Sequence, residues 1–357
     1  MVSSILITGV TGYIGGSVLS AILDRRSQGH LPLNVGGVVR SKEQAAVIND
    51  LEGVHSILVQ DFDELNRLEK LGEEFDIIIH AGAGWHTESA KAFLRGLAVR
   101  RSTGQQAHYI QISGTSNLSD RPHSSNFIET QIFSDEDDIY GYEKSREAKE
   151  AYYQRTTDIA VVETGESLGV ATYVIMAPTI FGIGTGPFNK WSVQLPAIIA
   201  DALKSQHVKV IGNGQTIWTH VHIEDLTDLF ALLLRKILDG SDLPSGRRGI
   251  YFCETGEHTH LEMAQRLADA GAKLGLFSNI SKVSLQEAAD AFAGGNAFRA
   301  ELSFGANARC KAALARNLGW KPSREDRWKE TFAEELEEYV RNKPRPKALP
   351  IVMRQRE

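Results

Sequence analysis

Cysteine, long apolar runs and an excess of basic residues are what this sequence lacks, and each absence excludes a class of protein. Only two cysteines, Cys253 and Cys310, occur in 357 residues, too few for a disulfide framework and without the spacing of a metal site. No apolar run approaches the ~20 residues that cross a membrane. A net charge of −6 opposes a nucleic-acid-binding surface, which is strongly basic. We therefore expect a cytoplasmic globular protein with neither a nucleic-acid nor a membrane partner.

What the sequence does have is a regular alternation of apolar runs with helical or polar segments. Runs at 2–8, 34–39, 54–59, 75–81, 107–112 and 171–176 predict buried parallel strands. Their alternation with helices predicts an α/β fold built on a doubly wound parallel sheet. After residue 180 the pattern changes. We expect a first domain over 1–180 and a smaller C-terminal, substrate-covering lobe over 181–357, with about 208–235 returning to the first domain.

A glycine-rich turn directly follows the first predicted strand. Its glycines stand at G-x-x-G-x-x-G spacing, and an amphipathic helix begins within the turn. Glycines let the backbone approach a pyrophosphate closely, and a helix N-terminus offers unpaired N–H groups at the positive end of its dipole. The order of strand, turn and helix makes the signal specific for a Rossmann dinucleotide site. The predicted cofactor residues here are Thr8, Gly9, Thr11, Gly12, Tyr13, Ile14 and Gly15.

The end of the second predicted strand indicates which dinucleotide binds. An NAD-selective site usually carries an acidic residue about 20 residues beyond the glycines, where it binds the ribose hydroxyls. Arg40 occupies that neighbourhood here, with Lys42 close by. Because a guanidinium matches a 2′-phosphate, we favour NADP(H) over NAD(H), which stays possible.

Further motifs follow in a fixed order along the chain. They are QDFDE at 60–64, HAGAG at 80–84, ISGTS at 112–116, APTIFGIG at 177–184, VIGNGQTIWTHVHIEDLTDLF at 210–230 and LGWKP at 318–322. With TGVTGYIGG at 8–16, they resemble the extended or atypical short-chain dehydrogenase/reductases, which include nucleotide-sugar epimerases, dehydratases and dihydroflavonol-type reductases. The resemblance covers nearly the whole chain. At family level it also implies a possible homodimer.

The resemblance implies further cofactor residues, position by position. Asp61 and Phe62 would border the adenine, and Pro178 would lie near the nicotinamide. The floor of the cofactor site would be formed by His80, Ala81, Gly82 and Ala83.

The resemblance also implies a catalytic group, a Ser or Thr after the fifth strand followed by Tyr-x-x-x-Lys. Ser113 and Thr115 flank the expected hydroxyl position, and Tyr140 with Lys144 has the required spacing. Residues i and i+4 share one face of a helix. The tyrosine would donate a proton to the developing alkoxide, and the lysine would lower the pKa of that tyrosine and hold the nicotinamide ribose.

Two registers for this pair remain open. From Lys144 to the sixth predicted strand at 171 is 27 residues (171 − 144), more than the family usually has. A continuous helix over 140–167 would run about 42 Å, twice the roughly 20 Å of a strand, so we expect a break near 155–158 with Thr157 or Asp158 as a new N-cap. Either Tyr140 and Lys144 are catalytic, or the stretch before the break is an insertion and the usual acid is missing.

The region after residue 180 indicates the substrate. Ala177 and Trp218 stand where the family often carries arginines that grip a diphosphate, which argues against a nucleotide sugar. His220 and His222 are expected to be structural, since no cluster completes a metal site around them. The predicted residues of the substrate site are Trp85, His86, Phe188, Trp191 and Trp218.

These observations together predict an NADP(H)-dependent reductase of a small apolar or aromatic aldehyde or ketone. Two alternatives remain: an epimerase or isomerase on the same cofactor platform, or a non-catalytic NADP(H)-binding regulator. Net consumption of NADPH would separate the reductase from the other two.

Overall fold

A computed structural model describes residues 3–27, 33–125 and 127–344. Its strands are β1 (Ser3–Thr8), β2 (Leu33–Val39), β3 (Val54–Leu58), β4 (Ile77–His80), β5 (His108–Gly114), β6 (Phe133–Ser134), β7 (Ala171–Ala177), β8 (Thr179–Phe181), β9 (His207–Ile211), β10 (Ile217–His222), β11 (Ile250–Phe252), β12 (Gly256–Thr259), β13 (Asn279–Val283) and β14 (Cys310–Lys311).

The helices complete the alternation. They are α1 (Tyr13–Ser27), α2 (Lys42–Asn49), α3 (Leu65–Glu74), α4 (Thr87–Ser102), α5 (Ile139–Glu147), α6 (Tyr153–Leu168), α7 (Gln194–Ser205), α8 (Ile223–Leu238), α9 (His260–Lys273), α10 (Leu285–Phe292), α11 (Ala297–Phe304), α12 (Ala313–Asn317) and α13 (Thr331–Asn342). A 3₁₀ turn at Thr115–Leu118 directly follows β5. In the described ranges, no helix combines the length and the apolar character needed to cross a bilayer.

A seven-stranded parallel sheet forms the centre of the molecule. Its order is β11-β7-β5-β4-β1-β2-β3, so the chain runs outward from β1 in one direction and, after β3, returns beside β1 to run in the other. Helices α3, α4 and α6 pack against one another, and α1 packs against α8. The predicted doubly wound α/β fold is therefore confirmed. Ligands of such sheets bind beside the point where the order reverses, which here lies between β1 and β4.

Burial explains why the predicted strands form this sheet. The side chains of Ile5, Leu6 and Ile7 in β1 and of Ile77, Ile78 and Ile79 in β4 are at most 1% exposed. Strands covered by helices on both faces read as continuous apolar runs. The seventh strand, β11, was not predicted, because its three residues are too short to form a recognisable run.

The C-terminal half builds a second core beside the sheet. Strand β9 pairs in parallel with β13, and helices α7, α9 and α13 pack around them. Of the segment expected to return to the first domain, α8 packs on α1, whereas β9 belongs to this lobe. Strand β10 joins β8 in parallel and β12 in antiparallel pairing. The two cysteines are free and buried.

The break between α5 and α6 lies before the predicted position. Helix α6 begins after its N-cap Tyr152, so the expected N-cap at Thr157 or Asp158 was wrong. Thr156 and Thr157 lie inside the helix, where their hydroxyls donate to the carbonyls four residues earlier, at 3.2 and 2.9 Å. Asp158 points instead toward Ser113 of β5.

Candidate functional site

The glycine-rich turn is packed too tightly for side chains. Gly9 has φ +72°, and a Cβ on it would lie 2.7 Å from Gly82 Cα. A Cβ on Gly15 would collide with the Gly9 carbonyl, and Gly12 N donates to that same carbonyl at 2.8 Å. The turn leads directly into α1. Its close backbone approach and helix N-terminus therefore fit a dinucleotide pyrophosphate.

One side chain and one backbone carbonyl of the same turn contact distant parts of the chain. The Tyr13 hydroxyl donates to the Gly182 carbonyl at 2.6 Å, and Asn189 N donates to the Thr11 carbonyl at 3.4 Å. Gly182 N in turn donates to Glu335 of α13 at 2.7 Å. Burial raises the pKa of the Tyr13 hydroxyl well above its usual range, so it stays a donor. Tyr13 therefore holds the turn in place, and Ile14, also a predicted cofactor residue, packs against the main core.

The carboxyl ends of β1 and β4 are tied together by a buried hydroxyl and imidazole. Thr8 Oγ1 lies 2.7 Å from His80 Nδ1 and accepts from Gly82 N at 3.1 Å. Burial lowers the pKa of His80 to about 3, so the ring is neutral. Phe62 lies against Gly82, while Ala81 and Gly82 remain half-exposed at the edge. These predicted floor residues therefore come together beside the glycine turn, with the buried Ala83 behind them.

Two exposed basic side chains stand at the end of β2. Arg40 is exposed, and its N–H donates to Gln44 Oε1 at 2.9 Å. Ser41 caps α2, whose first residue is the exposed Lys42. Within the described residues the Arg40 guanidinium has no polar partner, so it is free to bind an anion. Asp61, also exposed, accepts from Asp63 N in its own turn.

Strand β5 extends past its neighbour and forms one wall of this edge. His80, the last residue of β4, pairs with Gln111, so Gly114 lies three residues, roughly 10 Å, farther along. Gly114 pairs with Ala177 at the end of β7, and the buried Pro178 follows. Pro178 therefore lies at the carboxyl ends of the central strands β1, β4, β5 and β7, an edge of the sheet that we call the crevice.

The two hydroxyls predicted at the end of β5 are both buried and occupied. Thr115 Oγ1 accepts from Trp218 Nε1 at 3.0 Å. Ser113 Oγ donates to Asp158 Oδ2 and accepts from Gln154 Nε2 at 3.2 Å. Thr115 therefore has a structural partner, whereas Ser113 belongs to a buried network behind the crevice.

The Tyr140–Lys144 pair is placed away from these hydroxyls, which opposes its predicted catalytic role. The Tyr140 hydroxyl and Lys144 Nζ both bind Glu163 Oε1, each at 2.8 Å. Glu163 is five residues beyond Asp158 on α6, about 7.5 Å along the axis and about 140° around it. Ser113 and the pair therefore contact different faces of α6. The i, i+4 spacing is satisfied here by a surface ion pair, with both charged side chains roughly half exposed.

A different tyrosine reaches the crevice. The hydroxyl of Tyr152, the N-cap of α6, lies 3.1 Å from Ser116 Oγ in the turn after β5. Both residues are half-buried rather than enclosed. Burial raises the pKa of Tyr152, and the Ser116 hydrogen bond and the positive charges of Arg121 and Arg155 oppose that rise. Sequence analysis missed this pair because Tyr152 has threonine, not lysine, four residues later.

Helix α11 adds an aromatic ring and a cation beside this tyrosine. Phe298 packs edge-on to Tyr152 with ring centroids 6.0 Å apart. The Arg121 guanidinium lies over the Phe298 ring, 4.5 Å from its centroid. Arg299 is half-buried, and burial lowers its pKa to about 10. Its guanidinium has no hydrogen-bond or ion-pair partner in the described part of the chain. No sequence motif marked these residues, since about 146 positions separate them from Tyr152.

The predicted substrate residues divide into two groups. Trp85 is half-buried in the loop after β4, at the crevice. His86 instead caps α4 by accepting from Ser89 N at 3.1 Å. Trp218 is buried against Thr115, and Trp191 packs edge-on to Tyr339 in the lobe. Phe188 packs against the main core. Of these five, Trp85 is the one whose position suits a substrate.

The two histidines of β10, His220 and His222, make structural contacts. His220 Nδ1 lies 3.1 Å from His258 Nδ1, and the His220 ring stacks on Trp328 at 4.0 Å. His222 caps α8 by accepting from Glu224 N at 3.2 Å. Burial lowers the pKa of His220 to about 3 and that of His222 to about 4. Over residues 3–27, 33–125 and 127–344, no group of three or more histidine, cysteine or acidic residues could hold a metal.

Comparison with solved structures places this fold among known ones. The dTDP-glucose 4,6-dehydratase DesIV from Streptomyces venezuelae, with NAD and TYD bound, has a TM-score of 0.64 and 16% identity, covering 95% of this chain and 98% of its own. The UDP-glucuronic acid 4-epimerase from Bacillus cereus, with UDP-glucuronic acid and NAD, has a TM-score of 0.58 and 13% identity, covering 94% and 99%. At these identities the likeness concerns the fold.

Comparison at the sequence level is more specific. The protein named Oxidase ucsJ, from Acremonium sp, is 28% identical over 342 residues, which cover 90% of this chain and 93% of that protein. The model of the NAD dependent epimerase/dehydratase family matches residues 5–243. Together these similarities identify an enzyme of the oxidoreductase type. The chain belongs to the NAD dependent epimerase/dehydratase family.

Proposed function

We propose that this protein is an NADP(H)-dependent reductase of a small aldehyde or ketone, with Tyr152 as its proton donor. The observation that carries this proposal is the Ser116–Tyr152 hydroxyl pair, 3.1 Å apart and half-buried beside the end of β5. Such a pair can hold a carbonyl oxygen with two hydrogen bonds. Dihydronicotinamide, when bound, supplies the hydride.

Tyr152 has the properties that a proton donor needs here. Hydride addition forms a C–H bond with the electron pair of the hydride, and the carbonyl π bond breaks as its electron pair moves to oxygen, which gives an alkoxide. The Tyr152 O–H bond then breaks, and its proton forms the O–H bond of the product alcohol. Arg121 and Arg155 stabilise the phenolate that remains, in the part that lysine plays in the resembled family.

The choice of NADP(H) is supported by the charges after β2. Arg40 and Lys42 are exposed, and the Arg40 guanidinium is free for a 2′-phosphate. If this is correct, Arg40→Ala should raise the KM for NADPH by about 10- to 100-fold and leave that for NADH almost unchanged. A wild-type protein that prefers NADH would contradict the proposal on this point.

The surroundings of Tyr152 support an aromatic or apolar carbonyl substrate that also carries an acceptor group. Phe298 offers apolar surface beside Tyr152, and Arg299 offers an unpaired cation. Benzaldehydes with and without a carboxylate test this directly. We expect Arg299→Ala to raise KM for 4-carboxybenzaldehyde about tenfold while KM for benzaldehyde changes little.

The first experiment is a spectrophotometric assay of NADPH consumption with these aldehydes and matched ketones. Consumption with formation of an equal amount of alcohol would support the reductase. Rearranged substrate without net consumption would favour an epimerase or isomerase. Tight NADP(H) binding without conversion of any carbonyl compound would favour a regulator.

A further inference from the structure

Two carboxyl groups lie completely buried behind the end of β5. Glu143 of α5 and Asp158 of α6 are both 0% exposed. One amide joins them, because Asn117 Nδ2 donates to Glu143 Oε1 and to Asp158 Oδ2, each at 2.7 Å. Two carboxylates that share a donor in a dry site repel each other when both are ionised. This geometry therefore favours a pair that keeps one proton.

The cation beside the pair, Arg155, does not neutralise the negative charge of the two carboxyl groups. Arg155 Nε already pairs with Glu147 Oε2 at 3.1 Å, and its other nitrogens donate to backbone carbonyls. Burial raises the pKa of both Glu143 and Asp158 well above their usual ranges, and the charge of Asp158 raises that of Glu143 further. The titratable and charged groups that face the pair from α5, α6 and β5 are Glu147, Tyr152, Arg155 and Tyr109.

Unpaired oxygens in this cluster also favour a pair of carboxyl groups that keeps one proton. Among the described residues, Asn117 Oδ1, Glu143 Oε2 and Asp158 Oδ1 are buried without a hydrogen-bond partner. Buried polar atoms are nearly always paired, and all three of these are acceptors. A proton on one of the carboxyl groups adds the donor that the cluster otherwise lacks.

We propose that Glu143 and Asp158 share one proton at neutral pH and exchange it with the active site through the Ser113 hydroxyl. Ser113 Oγ donates to Asp158 Oδ2 and accepts from Gln154 Nε2. A hydroxyl carries a single proton, so Ser113 points it inward when Asp158 is ionised. When Asp158 carries the proton, Asp158 donates to Ser113 Oγ, and the Ser113 O–H is released toward the crevice.

The exchange rests on the proposed reduction as the reaction that consumes the proton. After Tyr152 has protonated the alkoxide, the Ser113 O–H bond breaks as its proton passes through water in the crevice to form the O–H bond of Tyr152 again, and the Asp158 O–H bond breaks to replace it. The pair is left with two negative charges until a proton from solvent restores it. An acid whose pKa is raised toward the working pH is suited to this cycle. Glu143 and Asp158 are thus positioning residues that act through Ser113.

Infrared spectroscopy tests the shared proton without cofactor or turnover. The spectrum of the wild type at pH 7 minus that of Glu143→Gln should contain the C=O band of a protonated carboxyl group, which shifts in D₂O. The same difference for Asp158→Asn should contain it too. Glu163→Gln, which changes an exposed carboxylate of the same helix, should leave the band intact. Difference spectra are needed because Glu335, with its pKa raised by burial to about 7, adds its own band. Absence of the band from both wild-type differences would overturn the shared proton.

Proton release on cofactor binding tests the exchange with the site. A positively charged nicotinamide favours the ionised pair, so NADP⁺ binding in weakly buffered solution should release up to one proton, whereas NADPH should release almost none. In Glu143→Gln no second carboxylate opposes the ionised form of Asp158, which keeps its donors Ser113 and Asn117, so we expect it to be ionised before NADP⁺ binds and the release to disappear, while Glu163→Gln retains it. Equal release in all three proteins would overturn the exchange. If NADP⁺ does not bind, the proposed function fails, and the infrared result alone decides the proton sharing.

Discussion

Two carboxylates of helix α6 make similar contacts in opposite surroundings. Asp158 accepts from the hydroxyl of Ser113 and is fully buried, and burial raises its pKa. Glu163, five residues later, accepts from the hydroxyl of Tyr140 and from Lys144, which lowers its pKa. The exposed group has its charge balanced by a lysine and by water. The buried Asp158 has neither a lysine partner nor contact with solvent.

This difference shows why the more conspicuous motif is the less suitable one chemically. The Tyr140–Lys144 spacing is what any stable surface helix can use for an ion pair. Proton chemistry instead needs a group whose charge is costly, because burial then moves the pKa of a carboxyl group upward, toward the working pH. That property belongs to Asp158 of α6 and to its N-cap Tyr152, whose pKa values are both raised by burial. The following substitutions compare these buried groups with the exposed Tyr140–Lys144–Glu163 group.

The largest effect is expected from removing the hydroxyl of Tyr152. Tyr152→Phe should lower kcat for NADPH-dependent aldehyde reduction at least 100-fold, because a positioned proton donor contributes about 10²–10⁴ in rate. Tyr140→Phe, which removes the hydroxyl that binds Glu163, is the matched control and should change kcat less than threefold. Stopped-flow or steady-state loss of NADPH absorbance measures both. If the two variants reversed these roles, Tyr140 would regain its place in the mechanism.

The second effect concerns the stability of the buried face. Asn117→Ala removes the donor shared by Glu143 and Asp158 and should lower the free energy of unfolding by about 3 kcal/mol, since two buried carboxyl groups lose their partner. Urea denaturation at pH 7 measures the change. A loss below about 1 kcal/mol would mean that the pair does not depend on this amide.

The third effect is a dependence of stability on pH. In the folded protein the pKa of Glu143 is raised from its ordinary 4.5, so the folded state holds a proton that the unfolded state releases. That contribution is complete below the ordinary pKa and declines as pH rises, by up to about 1.4 kcal/mol per pH unit for one proton. Between pH 5 and 8, Glu143→Gln should therefore become progressively more stable relative to the wild type. Glu163→Gln should show no such trend, because a lowered carboxyl pKa acts only below about pH 4.5.

The smallest effect is expected from the exposed ion pair. Lys144→Ala should cost less than about 1 kcal/mol of unfolding free energy, and less again at high salt, because both side chains are roughly half exposed. The midpoint of thermal unfolding at low and high ionic strength measures it. A loss of stability comparable to that of Asn117→Ala would contradict the expectation that this surface ion pair contributes little.

The sheet and the glycine turn could be predicted because their signals are local. A strand covered on both faces needs a continuous apolar run, and Ile77–His80 and Ser3–Thr8 show one. The tight turn needs glycine at Gly9 and Gly15, where any Cβ would collide. Strand β11 could not be predicted, because its pairing with β7 depends on tertiary packing rather than on a pattern in its three residues.

The proposed catalytic residues could not be predicted because their contacts are distant in sequence. Ser116 and Tyr152 lie 36 positions apart, and Arg299 comes from a helix of the other lobe. Nothing in the spacing of Tyr152 marks it. Asn117 likewise looks like an ordinary turn residue until the fold places a carboxyl group on each side of its amide.

The link from Tyr13 through Gly182 to Glu335 has a consequence for biosynthesis. Glu335 of α13 is synthesised 322 residues (335 − 13) after Tyr13 of the glycine turn. Domains that precede the C-terminus can fold while the chain is still growing. Here the glycine turn acquires this support only once α13 has been synthesised, so a nascent or truncated chain that ends before α13 should hold a dinucleotide more weakly than a chain that contains it.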